Sequence, residues 1–146
     1  MLGDYLLTPD MPLSATITRG TQLSGFSGEY DLFIALSSDA SASRPASLSC
    51  RALLLPGDAQ AELLSQIPSK WVTSFGLSAK DSITVSSLGS DCTLLALQRE
   101  LVTLDGLVIE QQEISLPTPS ETSTPEMMAL YGSLLLLGVS PLRLAV

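Results

Sequence analysis

Residues 82–109 read Ser82-Ile-Thr-Val-Ser-Ser-Leu-Gly-Ser-Asp-Cys-Thr-Leu-Leu-Ala-Leu-Gln98 and then Arg99-Glu-Leu-Val-Thr-Leu-Asp-Gly-Leu-Val-Ile109. Short runs of Leu, Val and Ile are separated here by Gly89-Ser90 and by Asp105-Gly106. This pattern predicts strands divided by tight turns. The run at 94–97 is continuously apolar, which predicts a strand covered on both faces. We therefore expect this stretch to form the middle of a sheet.

The segments before this stretch predict two more strands and a helical connection. Residues 29–36 and 48–55 are rich in β-formers and are bounded by turn residues, so both are expected to be strands. Asp58 is a natural N-cap for a helix that runs to Ile67, and Ser69 is one for a second helix that ends at Gly76. A strand, a helical region and a strand in this order favour a right-handed crossover and a partly parallel sheet.

The last third of the chain predicts a polar linker followed by an apolar helix. The linker lies near residues 115–124 and is rich in Pro, Ser and Thr. Thr124 is the expected N-cap, and Pro125 suits the first helical position. The segment 127–146 is almost long enough to span a bilayer, but glycine, proline and arginine interrupt it. We expect a buried helix followed by a short strand, with a membrane anchor as the less favoured alternative.

These predictions together describe an α/β fold. A chain of 146 residues is long enough for one ordinary core and too short for two. We expect a single domain with a small mixed or partly parallel sheet flanked by helices, Rossmann-like but without a nucleotide site. Residues 1–28 are expected to form an N-terminal arm, and residues 29–146 the domain. The arm either packs on the domain or becomes ordered on a partner.

The charge and the missing residue types restrict the possible functions. The chain has 15 acidic and 7 basic residues and a net charge of -8, which would repel a phosphate backbone, so direct nucleic-acid binding is not expected. It contains no histidine, the usual general base near neutral pH and a common zinc ligand. Cys50 and Cys92 are expected to be buried thiols in a reducing compartment. No basic residue precedes Arg19, which argues against a secretory signal and favours a cytoplasmic location.

No recognised catalytic or cofactor motif is present in the sequence. The segment at 55–60 follows a predicted strand, as a dinucleotide-binding loop would, but Gly57 stands there without the rest of Gly-x-Gly-x-x-Gly. Asp58 at the start of the following helix would repel an anion. The carboxylates fit turn and edge positions better than an acid/base pair. We therefore expect no enzyme activity, no cofactor, no metal and no small-molecule substrate.

Several short motifs occur in an order that resembles a known family. They are Gly89-Ser-Asp-Cys92 before an apolar strand, Val102-Thr-Leu-Asp-Gly106, and Thr124-Pro125 at the start of a helix that contains Leu130-Tyr131. Together with the segment 71–81, this order resembles the psi subunit of bacterial DNA polymerase III, an accessory component of the clamp loader. The resemblance covers residues 50–136. It implies an α/β domain without nucleotide activity and a bridging role, in which psi binds the chi subunit and its N-terminal segment engages the clamp-loader ATPase subunits.

Two hypotheses follow for the function. The first is a non-enzymatic adaptor that binds protein partners through apolar surfaces, and the alternative is an acidic secretion-type chaperone that binds an effector protein. For Trp71 and Phe75 we expect either core packing or partner contact. The candidate partner-binding residues are Tyr5, Leu6, Leu7, Met11 and Leu13 in the arm, Trp71 and Phe75, and Met127, Leu130, Tyr131 and Leu134 in the apolar helix.

Overall fold

A computed structural model describes residues 26–36, 47–59 and 64–139 of the chain. Within these residues, a six-stranded sheet packs one of its faces against an α-helix. The strands are β1 Ser27–Ile34, β2 Ser47–Pro56, β3 Ser69–Phe75, β4 Ile83–Leu88, β5 Cys92–Leu97, β6 Leu101–Val102, β7 Val108–Ile109 and β8 Gln112–Pro117, and helix α1 spans Thr124–Leu136. The protein therefore has a mixed α/β structure in which the sheet predominates.

The sheet has a parallel half and an antiparallel half. Its strand order is β1-β2-β3-β4-β5-β8. Neighbours from β1 to β4 are parallel, whereas β4 with β5 and β5 with β8 are antiparallel. The prediction of a mixed, partly parallel sheet is confirmed. The described part of the connection from β2 to β3 holds a short 3-10 turn, Gly57–Ala59, and helical residues at 64–66.

The prediction of a second helix at residues 69–76 is wrong, because this segment forms strand β3. Ser69 to Phe75 pairs along β2 in parallel, with Trp71 opposite Ala52. The segment contains Trp, Val, Thr and Phe, which favour strands. Residues four apart share a face in a strand as well as in a helix, so the spacing of Trp71 and Phe75 cannot distinguish the two. Pairing with β2 decides between them.

The main core lies between the sheet and α1. Its sheet residues are Leu54, Phe75, Ile83, Leu95, Leu97, Ile114 and Leu116, which pack with Leu101 and with residues 127–131 and 134–136 of the helix. A close approach is possible because α1 has a glycine at the contact: a β-carbon on Gly132 would lie 2.8 Å from Cδ1 of Ile83. A second cluster contains Phe33, Leu53, Leu55 and Ile67.

The antiparallel half of the sheet is covered well on one face only. In β5, Leu95 and Leu97 are buried, whereas Leu94 and Ala96 are half-buried. In β8, Ile114 and Leu116 are buried and the other four residues are exposed. The prediction that residues 94–97 form a strand covered on both faces is therefore wrong. A continuous apolar run does not show on which side a helix packs.

Two local predictions, the start of α1 and the turn at Asp105-Gly106, can be compared with the structure. Ser123, not Thr124, is the N-cap, and its Oγ accepts a hydrogen bond from the Glu126 backbone N at 3.3 Å. The predicted turn at Asp105-Gly106 is confirmed, since it joins β6 to β7 and Gly106 has φ 86°. In the described part of the chain, no helix has both the length and the apolar character needed to cross a membrane.

Candidate interaction surface

Five of the candidate residues are part of the main core. Phe75, Met127, Leu130, Tyr131 and Leu134 are all buried, and they belong to one cluster between the sheet and α1. The helix residues and Phe75 are thus brought together as packing partners. Burial of these side chains explains why α1 is apolar on nearly every side, and it leaves them little surface for a partner in this conformation.

The five candidates in the N-terminal arm, Tyr5, Leu6, Leu7, Met11 and Leu13, lie outside the described residues. Their partner contacts stay a prediction. Trp71 is the one candidate among the described residues that is partly accessible, and it is half-buried on β3. Among the described candidates, the surface around Trp71 is therefore the one that a partner could contact in this conformation.

One basic side chain contacts Trp71, and a second basic residue stands on the neighbouring strand. The Lys70 Nζ lies over the indole, 4.8 Å from the ring centroid, in a cation–π contact. Arg51 is on the neighbouring strand β2, next to Ala52, which is opposite Trp71. We call Arg51, Lys70 and Trp71 the basic aromatic patch. Sequence reasoning missed both basic residues: Lys70 adjoins Trp71 in the sequence, whereas the position of Arg51 on the neighbouring strand depends on the β2–β3 register.

Regular pairing is missing at one position across strands β1, β2 and β3, in the row where Arg51 and Lys70 of the patch lie. Regular pairing between β1 and β2 skips Asp31 and Arg51, and pairing between β2 and β3 skips Arg51 and Lys70. Beyond this row, Leu54 contacts the main core while Cys50 and Leu53 both contact the second cluster. Cys50 and Leu53 would lie on opposite faces of a regular strand, so the irregularity changes which residues face α1. The three residues of this row, Asp31, Arg51 and Lys70, are all charged.

Arg51 connects the patch to a neighbouring turn. Its Nη2 donates to the backbone O of Leu104 at 2.5 Å, and its Nη1 lies 3.3 Å from Oδ1 of Asp31. This ion pair is exposed and so adds little stability. Leu107, in the same turn, is 65% exposed, and Val108 beside it is 56% exposed. A basic aromatic surface therefore lies near accessible apolar side chains.

The crevice at the carboxyl ends of β2 and β3, where open α/β sheets usually bind ligands, is occupied by the chain itself. The buried side chain of Asp81 reaches this position from the loop before β4. Its Oδ2 accepts a hydrogen bond from the Ser78 backbone N at 3.1 Å. β-carbons on Gly57 or Gly76 would lie 1.8 Å and 2.3 Å from its carboxyl oxygens. A carboxyl group packed against Gly57 provides a poor environment for a phosphate.

The two cysteines differ in environment. Both are free thiols; Cys50 is buried, as predicted, but Cys92 is exposed, so the prediction for Cys92 is wrong. Burial raises the pKa of the Cys50 thiol to about 11, an effect partly offset by a hydrogen bond with the Phe33 backbone. Cys92 is exposed because it begins β5 on the poorly covered face, where its Sγ contacts Oγ of Ser115. Neither thiol lies in a recognisable catalytic arrangement within the described residues.

The residues described by the structure contain no group of three Cys, Asp or Glu side chains that could hold a metal ion. The accessible chemistry that the geometry does place together is cationic and aromatic, as in the basic aromatic patch. Such a combination of Trp and Arg is enriched among the residues that contribute most to protein–protein binding. No protein-family model matches the sequence, and no curated protein is significantly similar to it.

Proposed function

We propose that this chain is a non-enzymatic cytoplasmic adaptor of the psi type, which bridges the chi subunit and the clamp-loader ATPase subunits of bacterial DNA polymerase III. The observation that carries the proposal is the basic aromatic patch, in which Lys70 lies over a half-buried Trp71 and Arg51 stands on the neighbouring strand. The backbone at these residues is held by strands β2 and β3, so a partner that covers the patch would not have to order a loop.

Two further features support a contact function. The overall charge of -8 disfavours direct contact with DNA, so a role in replication would depend on protein partners. The parallel strands β1 to β4 support the comparison with a Rossmann-like sheet, and the Asp81 side chain takes up the space at the crevice where such a sheet would bind a nucleotide.

Partner binding is tested by affinity purification of the tagged full chain from its native host, followed by mass spectrometry. Wild type is compared with Trp71→Ala and with Val72→Ala, a matched control that removes an exposed side chain from the next position of the same strand. We expect chi and the clamp-loader ATPase subunits with wild type and Val72→Ala, and a loss of at least one of them with Trp71→Ala. Circular dichroism confirms that each variant is folded.

Recovery of none of these subunits with wild type would overturn the adaptor assignment. A homodimer that co-purifies with a secreted effector would instead support the alternative function, an acidic secretion-type chaperone. If the replication subunits are recovered equally with Trp71→Ala, the adaptor function stands but the basic aromatic patch is not its contact surface.

A further inference from the structure

Strand β8 forms an edge of the sheet. In the described part of the chain it pairs with β5 alone. The pairing is regular over six consecutive residues, from Gln112 opposite Leu97 to Pro117 opposite Cys92, without a bulge. Edge strands are commonly protected by a bulge, by charged side chains, especially lysine, or by proline. β8 has no bulge and no lysine; its one charged residue is Glu113, and its proline is the last residue, Pro117.

The alternation of the ladder shows which backbone groups point away from the sheet. The Thr118 backbone N donates to the Asp91 carbonyl at 3.0 Å, just beyond β8. Antiparallel ladders repeat such a pair at every second residue, so Leu116, Ile114 and Gln112 bond to β5. Glu113 and Ser115 therefore direct their N–H and C=O groups outward.

One end of this edge is closed. Pro117 has no backbone N–H, and its carbonyl accepts a hydrogen bond from the hydroxyl of Tyr131 on α1. Among residues 26–36, 47–59 and 64–139, no group is seen bonded to the outward backbone of Glu113 or Ser115. The open part of the edge thus offers two donors and two acceptors, which is the arrangement used when an extended peptide adds a strand to a sheet.

The charge of β8 and of the sequence on either side of it indicates the chemistry of the added strand. Residues 100–142 contain six acidic residues, Glu100, Asp105, Glu110, Glu113, Glu121 and Glu126, and no lysine or arginine. On β8 itself, Glu113 and Ser115 are exposed, while Ile114 and Leu116 are buried on the α1 side. A strand placed beside β8 would therefore have an acidic neighbour on one face and apolar neighbours on the other.

We propose that the β8 edge binds an extended segment of a partner protein in which basic side chains alternate with apolar ones. This inference rests on the proposed adaptor function and names a second contact surface for it. Basic side chains of the added strand lie beside Glu113, and its apolar side chains lie beside Ile114 and Leu116. A second copy of this chain is disfavoured at the same edge, because it carries the same acidic stretch and brings like charges together.

The binding test uses the purified full chain and a fluorescently labelled peptide of about six residues, the usual length of a strand, in which lysine alternates with valine. Ser115→Pro removes one outward N–H and keeps the bonds to β5, because proline is tolerated where the N–H of an edge strand faces solvent. Ser115→Ala is the matched control, since it also loses the hydroxyl contact with Cys92 but keeps the N–H.

We expect fluorescence anisotropy to show binding of the Lys/Val peptide to wild type and Ser115→Ala, and at least tenfold weaker binding to Ser115→Pro. A peptide with glutamate in place of lysine should bind at least tenfold more weakly to wild type. Should Ser115→Pro fail to fold, a Lys/Val peptide with alternate backbone amides N-methylated tests the same hydrogen bonds on wild type. Equal binding of the methylated and unmethylated peptides, or no binding of the Lys/Val peptide at all, would overturn the edge proposal.

The edge proposal and the adaptor function can fail separately. Ser115→Pro and Ser115→Ala are both included in the affinity purification from the host. If wild type recovers the replication subunits but the peptide does not bind, the adaptor function stands and the β8 edge is rejected. If the peptide binds through its backbone but no replication subunit is recovered, the edge is a binding site and the psi-type role is rejected.

Discussion

A carboxyl oxygen of Asp81 occupies the position that a side chain on Gly57 would need. A β-carbon on Gly57 would lie 1.8 Å from Oδ1 of Asp81, well inside any permitted contact. Gly57 directly follows β2, and Asp81 lies two residues before β4. The contact therefore joins two loops at the same end of the sheet, and it depends on the absence of a side chain at position 57.

Gly57→Ala should destabilise the protein by about 1–3 kcal/mol, because the added methyl group forces the Asp81 side chain or its loop to move. Asp81→Ala removes the clashing atoms. In the double variant, the loss should be smaller than the sum of the two single losses by more than about 0.5 kcal/mol. Urea unfolding followed by circular dichroism measures all three values. Strict additivity would contradict the contact.

Gly132→Ala tests the packing of α1 on the sheet. The new β-carbon would lie 2.8 Å from Cδ1 of Ile83, so we expect a loss of about 1–3 kcal/mol, although alanine favours helix formation. Ile83→Val removes Cδ1 and serves as the matched background. Thermal unfolding should show a smaller effect of Gly132→Ala in that background. An equal effect would mean that Ile83 is not what limits the approach of the helix.

The start of α1 can be tested with two neighbouring alanine variants. Ser123→Ala removes the oxygen that accepts from the Glu126 backbone N and should cost about 1 kcal/mol. Thr124→Ala changes the residue that sequence reasoning chose as the cap and should stay within about 0.5 kcal/mol of wild type. Chemical denaturation measures the unfolding free energies of both variants and so shows which residue caps the helix. A larger loss for Thr124→Ala would place the cap one residue later.

The cysteines should differ in reactivity. Cys92 is exposed and should react with a thiol reagent in the native protein, whereas Cys50 should react only after unfolding, because it is buried and its pKa is raised to about 11. Mass spectrometry after timed alkylation identifies the modified residue. The variant Cys92→Ser should remain unmodified under native conditions, and rapid labelling of that variant would show that Cys50 is accessible.

The same pKa shift predicts a loss of stability at high pH. The thiol of Cys50 has an ordinary pKa of 9.0 and a folded-state pKa of about 11, so the folded protein holds this proton more tightly than the unfolded chain does. Its contribution is complete below pH 9 and is lost as the pH rises toward 11, at about 1.4 kcal/mol for each pKa unit. Unfolding free energies of wild type should fall more steeply over this range than those of Cys50→Ala. Parallel pH profiles would contradict the shift.

Most strands could be predicted because their sequences contain both a pattern and its boundaries. β1 and β2 are apolar runs between turn residues, and the turn at Gly106 has the positive φ that Asp-Gly favours. The prediction of a helix for the β3 segment is wrong because Trp71 and Phe75 are four residues apart, and residues with this spacing share a face in a helix and in a strand alike. Only its pairing with β2, through contacts between residues distant in sequence, makes it a strand.

The candidate surface was less predictable than the fold. The residue type of Trp71 makes it a candidate in the sequence, but the contact of Lys70 with its ring and the position of Arg51 on the neighbouring strand are seen only in the structure. The apolar helix was offered as core or as interface, and its burial against the sheet follows from the position of α1. No local pattern specifies that position, because α1 is apolar on nearly every side.

The amino-acid sequence by itself determined the local features of this protein: where most of the strands lie, where glycine turns the chain, and the net charge of -8. These features depend on neighbouring residues and on composition, so they can be read without coordinates. The tertiary structure decided that β3 is a strand, that β8 is an edge whose outward groups belong to Glu113 and Ser115, and that Asp81 contacts Gly57. Each of these depends on register and packing between distant segments, which the energies of local residues do not specify.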